Sequence, residues 1–283
     1  MTTAEGAACA ACGAAGSTSF LYAVNGCDVD RCSVCGIGRT HARVFDAASY
    51  YSEDYFTGGR DDGYADYQGT EPVLRSEFRR LLEHIRKQVP SGRLLEIGCA
   101  YGYFLDEAKN SFDVTGIEIS ASAVQTCEAA GLNVVRGEVS EAVMSGLGMF
   151  DVIVMLDVIE HVPDPAEVFA LCSRHLNPGG IIVLSTGDFS SVAARVTGRK
   201  WRLMTPPQHL WFFTPSSLRA LATGSGLEVR SIARPWKLVP LSLIAYQLKR
   251  IAGVRVRATL PDIGIPVNLF DAMRVVLRKP MAA

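Results

Sequence analysis

The chain has 283 residues, of which 48% are hydrophobic; this composition can bury a large core and excludes a disordered protein. Its 28 basic and 29 acidic residues almost cancel, which argues against a nucleic-acid-binding protein driven by overall charge. No apolar run reaches the roughly 18 residues of a transmembrane span. Because the first basic residue is Arg31, no secretory signal is predicted, and we expect a cytoplasmic protein.

The N-terminal segment is rich in cysteine. Four of the cysteines form two Cys-x-x-Cys-Gly units: Cys9, Cys12, Cys32 and Cys35. Two such units supply the four thiolates of a closed tetrahedral zinc site, so we predict a zinc-ribbon-like module over residues 1–48 with a structural or interaction role. A disulfide framework is the weaker alternative, because a reducing compartment disfavours it. Incidental cysteines in an Ala-rich terminus are a second alternative.

Residues 49–90 combine an aromatic, acidic segment with a helix. The aromatic part contains Tyr51, Tyr55, Tyr64 and Tyr67, which either pack in the core or form a lid over a ligand. The spacing of the apolar residues that follow predicts a helix over residues 71–89, which ends before Pro90.

Strands and helices alternate in the rest of the chain. The predicted strands span residues 93–97, 112–117, 133–135, 150–156, 181–185, 227–232 and 272–278. The predicted helices span residues 101–109, 121–130, 165–176 and 215–225. Asp164 and Pro165 are typical of a helix start, as N-cap and first helical residue. This alternation predicts an α/β fold with a doubly wound parallel sheet and a functional site at the carboxyl ends of its strands.

The first strand of this sheet leads into a turn of small residues, Gly98, Ala100 and Gly102, which lets the backbone pass close to a ligand. A dinucleotide-binding fingerprint has a small residue where Tyr103 stands, and Glu96 before the turn would repel a pyrophosphate. The same carboxylate would attract a cation such as the sulfonium cofactor S-adenosylmethionine (AdoMet). These features favour AdoMet, and an NAD-dependent oxidoreductase is the disfavoured alternative.

Acidic residues also follow the next three strands: Glu118, Glu138 and Asp157. A carboxylate at Glu118 could accept hydrogen bonds from both hydroxyls of a ribose. Because the carboxyl ends of parallel strands share one edge of a sheet, these acids indicate a single ligand site.

The segment over residues 93–186 resembles the class I AdoMet-dependent methyltransferases, through the motifs LLEIGCAYGYFL, GIEIS, FDVIVMLDVIEHVPDP and LNPGGIIVLST. The resemblance implies a Rossmann-like sheet of seven strands with the last strand antiparallel. It also implies AdoMet as methyl donor and a methyltransferase domain over residues 91–283, with substrate-side insertions at about 187–215 and 236–266.

The same resemblance assigns roles to individual residues. The cofactor-binding residues that it implies are Glu96, Gly98, Ala100, Gly102, Glu118, Ile119, Glu138, Val139 and Asp157. Among them, Glu118 would bind the ribose diol and Ile119 would pack on adenine, while Asp157 and His161 would form the floor of the active site. Ala100 stands where the family often has glycine, and we expect the extra methyl group to be tolerated.

Residues 200–215 resemble a subgroup that modifies sugars and related metabolites, some of whose members have an N-terminal Cys-x-x-Cys module. The resemblance implies methylation of a hydroxyl or carbon of a sugar or secondary metabolite. One alternative is a methyltransferase for a protein or RNA held by the zinc module, although ten acids against four bases in residues 1–71 argue against RNA. A catalytically silent AdoMet-binding partner protein is another.

Two histidines are candidate catalytic residues, because methyl transfer needs alignment and in some cases a base. His161 follows the fourth strand, and His209 lies in an aromatic loop that we expect to roof the pocket. For the aromatic residues that follow, Trp211, Phe212 and Phe213, core packing is favoured over a platform that stacks on a sugar.

The C-terminal residues 230–283 contain ten bases and only two acids. An apolar stripe from Leu241 to Ile251 has helical spacing, which indicates a helix packed on the sheet or on a second copy of the chain. A peripheral membrane contact through residues 241–257 is the alternative. We expect a small-molecule substrate, no nucleic-acid partner, no transmembrane segment, and a monomer or homodimer.

Overall fold

The N-terminal part of the protein forms a small antiparallel sheet followed by three helices. The computed structural model describes residues 8–41, 46–57, 66–241 and 263–281. The strands of this part are β1 (Thr18–Val24), β2 (Cys27–Cys32) and β3 (Gly38–His41). The helices are α1 (Ala47–Tyr50), α2 (Glu53–Thr57) and α3 (Glu71–Arg86).

Strands and helices alternate beyond α3, as predicted. The strands are β4 (Gly92–Ile97), β5 (Phe112–Glu118), β6 (Val134–Arg136), β7 (Phe150–Leu156), β8 (Leu176–Gly187), β9 (Trp211–Phe212), β10 (Glu228–Ala233), β11 (Lys237–Pro240), β12 (Gly264–Val267) and β13 (Ala272–Arg278). The helices are α4 (Tyr103–Ala108), α5 (Ala121–Ala129), α6 (Glu141–Met144), α7 (Pro165–Arg174), α8 (Val192–Thr197) and α9 (Pro215–Gly224).

Seven strands form the central sheet, in the order β10-β13-β8-β7-β4-β5-β6. The strands β4 to β8 pair in parallel, whereas β13 is antiparallel to both β8 and β10. This topology confirms the predicted α/β, doubly wound sheet with its last strand antiparallel. The strand order reverses between β4 and β7, where such sheets open a crevice at the carboxyl ends of their strands.

Apolar strands form the core because helices cover both of their faces. In β7, successive residues Val152, Ile153 and Val154 are completely buried, and burial of each such side chain contributes about 1.5–3 kcal/mol. Helices α7 and α9 pack on one face of the sheet, whereas α3 and α4 pack on the other. The predicted N-cap of α7 is confirmed, since Asp164 Oδ1 accepts hydrogen bonds from the backbone amides of the first turn.

Several element boundaries differ from the sequence-based prediction; α3, for example, ends at residue 86 instead of 89. Two of the differences have a clear structural cause. Helix α4 begins at residue 103 instead of 101, because Ala100 (φ +47°) and Gly102 (φ +74°) adopt left-handed backbone conformations. Strand β8 begins at residue 176 instead of 181, because Leu176 pairs with Phe150 ahead of a register shift. Residues 177–180, which the prediction left outside the strand, therefore lie within β8 as a bulge.

Strand β9 does not belong to the central sheet. It extends the N-terminal sheet in the order β1-β2-β3-β9, with Gly38 opposite Phe212 and Arg39 opposite Trp211. The N-terminal cysteine segment and the predicted insertion at 187–215 therefore share one sheet.

The predicted apolar helix at 241–257 lies outside the described residues, apart from Leu241 at its start. Among the helices in the described part of the chain, none combines the length and apolar character needed to cross a bilayer.

Candidate active site

The turn after β4 brings the backbone close to a cavity. Gly98 lies at φ +74°, and a Cβ atom there would be 2.5 Å from Val158 Cγ2. Ala100 keeps its left-handed conformation through two hydrogen bonds: its amide donates to Glu118 Oε2 at 2.8 Å, and its carbonyl accepts from Cys127 Sγ at 3.2 Å. These bonds explain how alanine is accommodated where glycine would be unstrained.

Gly102 does not line the cavity and instead packs against Leu132 and Cys127. A Cβ atom at this position would be 2.5 Å from Leu132 Cδ1 and 2.9 Å from Cys127 Sγ. The other predicted cofactor-binding residues all line the cavity: Glu96, Gly98, Ala100, Glu118, Ile119, Glu138, Val139 and Asp157. Gly102 does not line this cavity, because its small size serves the packing of the turn against α5.

Two buried carboxylates lie at the carboxyl ends of β4 and β5. Glu118 accepts one backbone hydrogen bond on each oxygen, from Ala100 and from Ser120, both at 2.8 Å. Glu96 Oε2 is buried and has no hydrogen-bond partner among the described residues. Burial raises the pKa of Glu96 well above its usual value and also raises the pKa of Glu118. A cationic ligand would favour the ionised form of such a carboxylate.

The cavity has a volume of about 660 Å³, which is within the range of small-molecule sites. Asp157 borders it directly after β7, with its backbone at φ +55°. Its Oδ1 accepts a hydrogen bond from Ser185 Oγ at 2.9 Å, and Lys237 Nζ lies 3.4 Å from its Oδ2. Desolvation by the cavity walls would raise the pKa of Asp157, but Lys237 and Ser185 together lower it below the usual value. Asp157 is therefore a carboxylate at neutral pH.

His161 and His209 meet at the wall of this cavity, with ring centroids 4.7 Å apart. His161 Nδ1 lies 2.8 Å from the carbonyl oxygen of Gln208, and His209 Nδ1 lies 2.8 Å from that of Leu203. Because a carbonyl can only accept, Nδ1 bears the proton in both rings and Nε2 keeps its lone pair. Burial lowers the pKa of both rings, and for His209 the nearby His161 contributes to a pKa of about 3. The two imidazoles are therefore neutral hydrogen-bond acceptors.

Glu160 is a site residue to which sequence reasoning assigned no role. Its side chain is 4% exposed, and its Oε2 has no hydrogen-bond partner within the described residues. Burial and, to a lesser extent, repulsion from the Asp157 carboxylate raise the pKa of Glu160 to about 8. One ligand atom each from Glu160, His161 and His209 lie within 4.8 Å of one another, a set that could hold a divalent cation. In the sequence, only the position of Glu160 next to His161 pointed to a role in the site.

Tyrosines from the N-terminal helices form part of the cavity wall. Tyr51 Oη lies 2.9 Å from His161 Nδ1, and the rings of Tyr51 and Tyr55 meet edge to face at 4.9 Å. Tyr50 Oη donates a hydrogen bond to Gln208 Oε1 at 2.7 Å. Tyr51, Tyr55 and Tyr67 line the cavity, whereas Tyr64 lies outside the described residues.

The aromatic residues after His209 pack in the core, as favoured from the sequence. Trp211, Phe212 and Phe213 are buried, and Trp211 Nε1 donates to the carbonyl of Val162 at 2.9 Å. They therefore support the cavity wall without forming a platform for a ligand.

The four cysteines of the Cys-x-x-Cys units converge, with their Sγ atoms within 4.8 Å of one another. Cys9 Sγ lies 3.6 Å from Cys35 Sγ, and Cys12 Sγ lies 3.8 Å from Cys32 Sγ. Tetrahedral zinc with Zn–S bonds of about 2.3 Å needs sulfur atoms about 3.8 Å apart. Burial would raise the pKa of Cys32, but hydrogen bonds from Ser17 and two backbone amides lower it to about 6. The residues present thus fit a zinc ion.

Comparisons with known proteins match this architecture. A family model described as a methyltransferase domain matches residues 69–232, which is more than half of the chain. The ubiquinone biosynthesis O-methyltransferase of Caulobacter sp. (strain K31) is 32% identical over 150 residues, covering 48% of this chain and 60% of that protein. The enzyme of the same name from Methylococcus capsulatus is also 32% identical over 150 residues, covering 48% of this chain and 63% of that protein.

A solved structure shares the fold. The S-adenosylmethionine-dependent methyltransferase from Archaeoglobus fulgidus superimposes with a TM-score of 0.51 at 18% identity, covering 83% of this chain and all of that one. At this identity the likeness concerns the fold alone.

The relatives contradict the acceptor predicted from the sequence. Both curated relatives are named as O-methyltransferases of ubiquinone biosynthesis, and the chain spans less than two thirds of their length. The prediction of a sugar or secondary-metabolite acceptor is therefore wrong. It depended on residues 200–215, where the side chains of Trp211, Phe212 and Phe213 pack in the core.

Proposed function

The chain belongs to the AdoMet-dependent methyltransferase family, and on this premise we propose that it methylates a hydroxyl group of a small aromatic molecule. One observation supports this proposal above the others: the carboxylates at the ends of β4 and β5 and the two neutral histidines line a single cavity. That cavity can hold a methyl donor and an acceptor side by side. The names of the curated relatives support oxygen as the methylated atom.

The donor half of the cavity has the chemistry that AdoMet requires. Glu96 has a buried oxygen without a partner in the described residues, which suits the ammonium group of the cofactor. Each oxygen of Glu118 accepts one amide hydrogen bond, which leaves acceptor capacity for the two ribose hydroxyls. We assign Ile119 to the adenine face, and Glu138 and Val139 to the adenine edge.

The acceptor half of the cavity has aromatic walls. Tyr51 follows α1 and Tyr55 lies in α2; the Tyr51 ring meets that of His161 edge to face, and His161 in turn contacts His209. Edge-to-face and offset contacts of such rings favour a planar aromatic ligand. Because these imidazoles are neutral, they can accept a hydrogen bond from a ring hydroxyl.

In this proposal His161 takes the proton of the acceptor. AdoMet, when bound, supplies a methyl group to the acceptor oxygen and leaves as S-adenosylhomocysteine. His161 Nε2 receives the proton lost by that oxygen, while Nδ1 keeps its hydrogen bond to Gln208. The Asp157 carboxylate favours a proton on both rings, but burial and the neighbouring His161 lower the pKa of His209 to about 3, so His209 stays a neutral hydrogen-bond acceptor. His209 would orient the acceptor hydroxyl.

The reaction can be tested with AdoMet labelled in its methyl group and a panel of small phenols and catechols. We expect the label to appear as an O-methyl group, identified by mass spectrometry, and the rate to depend on the acceptor concentration. Label on carbon or nitrogen, or on protein or RNA added to the assay, would overturn the assignment of the acceptor class.

We also propose that Cys9, Cys12, Cys32 and Cys35 bind one structural zinc ion. Their sulfur–sulfur distances match a tetrahedral site, and a closed set of four thiolates leaves no open position for chemistry. The ion would fix the turns of the small N-terminal sheet.

Replacing Cys35 with serine should lower the zinc content from about one ion per chain to a small fraction, because three thiolates bind zinc much more weakly than four. The melting temperature should fall with it. Elemental analysis of the purified protein measures the first effect and differential scanning fluorimetry measures the second. Cys27→Ser is the matched control, since Cys27 lies outside the cluster; equal zinc in both variants would refute the site.

A further inference from the structure

The cysteine module lies directly against the backbone that supports both histidines. Strand β3 follows Cys35 after two residues and pairs with β9, and beyond this pairing Thr40 continues the contact. The Thr40 amide donates to the carbonyl of Leu210 at 2.8 Å, and Thr40 Oγ1 donates to the carbonyl of His209 at 2.7 Å. A third bond joins the module to the residue that precedes α9, from Thr214 Oγ1 to the carbonyl of Cys35 at 2.6 Å.

The backbone at residues 208–210 contacts the site on its other side. The carbonyl of Gln208 accepts from His161 Nδ1, and the amide of Leu210 donates to the carbonyl of Glu160 at 2.8 Å. His209 itself lines the cavity. The 208–210 segment is therefore held between Thr40 and the residues that follow β7.

We propose that the cysteine module is a positioning element of the active site, and that Thr40 is the positioning residue through which it acts. By fixing the 208–210 segment, Thr40 keeps the Gln208 carbonyl on His161 and thereby keeps the Nε2 lone pair of His161 available. It also sets the place of the His209 ring. The role of the histidines in this inference depends on the proposed function, but the placement of the segment does not.

The position of Thr40 suits this role. It is 5% exposed, so water cannot replace the hydroxyl that binds the His209 carbonyl. Its amide and its hydroxyl both donate to the loop and not to a neighbour within the module. A module that served only to recruit a macromolecular partner would not need this contact.

The test compares three variants of the full-length chain. Thr40→Val preserves shape and removes the hydroxyl, Thr40→Ser restores the hydroxyl, and Thr18→Val makes the same chemical change at an exposed position of β1. Hydrogen–deuterium exchange of a peptide spanning residues 205–214 reports on the segment without any methyl acceptor.

We expect Thr40→Val to raise amide exchange in this peptide by about tenfold, corresponding to the loss of one buried hydrogen bond. The kcat for methyl transfer should fall by a similar factor, while the KM for AdoMet stays within twofold. Thr40→Ser and Thr18→Val should behave like the wild type. Unchanged amide exchange in Thr40→Val, or an equal rise in exchange and an equal fall in kcat in Thr18→Val, would overturn the proposal.

A measurement on the unaltered protein tests the same coupling. Treatment with a zinc chelator should raise exchange in the 205–214 peptide and leave a peptide from β5 unchanged. Chelation that removes zinc without altering the 205–214 peptide would overturn the link between the module and the site. Because neither readout uses the acceptor, a failure of the proposed methylation would be seen separately, as normal positioning without activity.

Discussion

His161→Asn should lower kcat for methyl transfer by about 100-fold, because general-base catalysis contributes roughly 10²–10⁴-fold. Asparagine retains an N–H donor for the carbonyl of Gln208, which His161 Nδ1 contacts at 2.8 Å, but lacks the Nε2 lone pair. The loss should therefore appear in kcat and not in the KM for AdoMet. Initial rates at saturating AdoMet and acceptor measure it.

The control for this variant is His175→Asn. His175 also has its Nδ1 2.8 Å from a backbone carbonyl, that of Gly148, but it is half-buried elsewhere and does not line the cavity. We expect its kcat to stay within twofold of the wild type. His209→Ala should lose about tenfold, because it removes an orienting hydrogen bond and not the base.

The effect of divalent cations on the rate distinguishes two roles for the same side chains, as a base and as metal ligands. If His161 acts as the base, protein stripped of metal in its cavity by a mild chelator should retain its rate. A rate that is lost on chelation and restored by Mg²⁺ or Mn²⁺, with zinc in the cysteine cluster unchanged, would contradict the role of His161 as the base. It would instead assign Glu160, His161 and His209 as ligands, whose candidate ligand atoms lie within 4.8 Å of one another.

Glu118→Ala should weaken AdoMet binding by at least about 100-fold. The variant would lose two charge-assisted hydrogen bonds to the ribose, each worth about 1.5–3 kcal/mol. It would also release the amide of Ala100, whose left-handed conformation depends partly on this bond. Isothermal titration calorimetry with AdoMet measures the change in Kd.

Two further variants separate the ribose contact from the turn. Glu118→Gln keeps one oxygen and should lose less affinity than alanine. Glu138→Ala also removes a carboxylate that lines the cavity, but one that we propose contacts the adenine edge, and we expect less than tenfold weakening. A Kd within threefold of the wild type in Glu118→Ala would mean that the ribose lies elsewhere.

Much of the fold could be predicted because it depends on local patterns. The run Phe150–Leu156 is apolar throughout and forms β7 with the predicted bounds, and the Asp164–Pro165 pair begins α7 as predicted. The acids at the strand ends could also be placed, since parallel strands bring their carboxyl ends to one edge. Glu96, Glu118 and Asp157 accordingly line one cavity.

The remaining features depend on contacts between distant segments. Nothing local to Gly38–His41 indicates that this strand pairs with Trp211–Phe212. The tautomers of the two histidines are set by carbonyls of Gln208 and Leu203, which only the folded chain brings to them. The acceptor class was predicted from the segment over residues 200–215, of which His209 lines the cavity while Trp211 and Phe213 pack in the core.

The most direct test of the account is a calorimetric titration of the wild-type protein with S-adenosylhomocysteine and, separately, with NAD. The cavity lined by Glu96 and Glu118 should bind one S-adenosylhomocysteine per chain and give no heat with NAD. Binding of NAD, or no binding of S-adenosylhomocysteine by folded protein, would contradict the assignment of this cavity to a methyl donor.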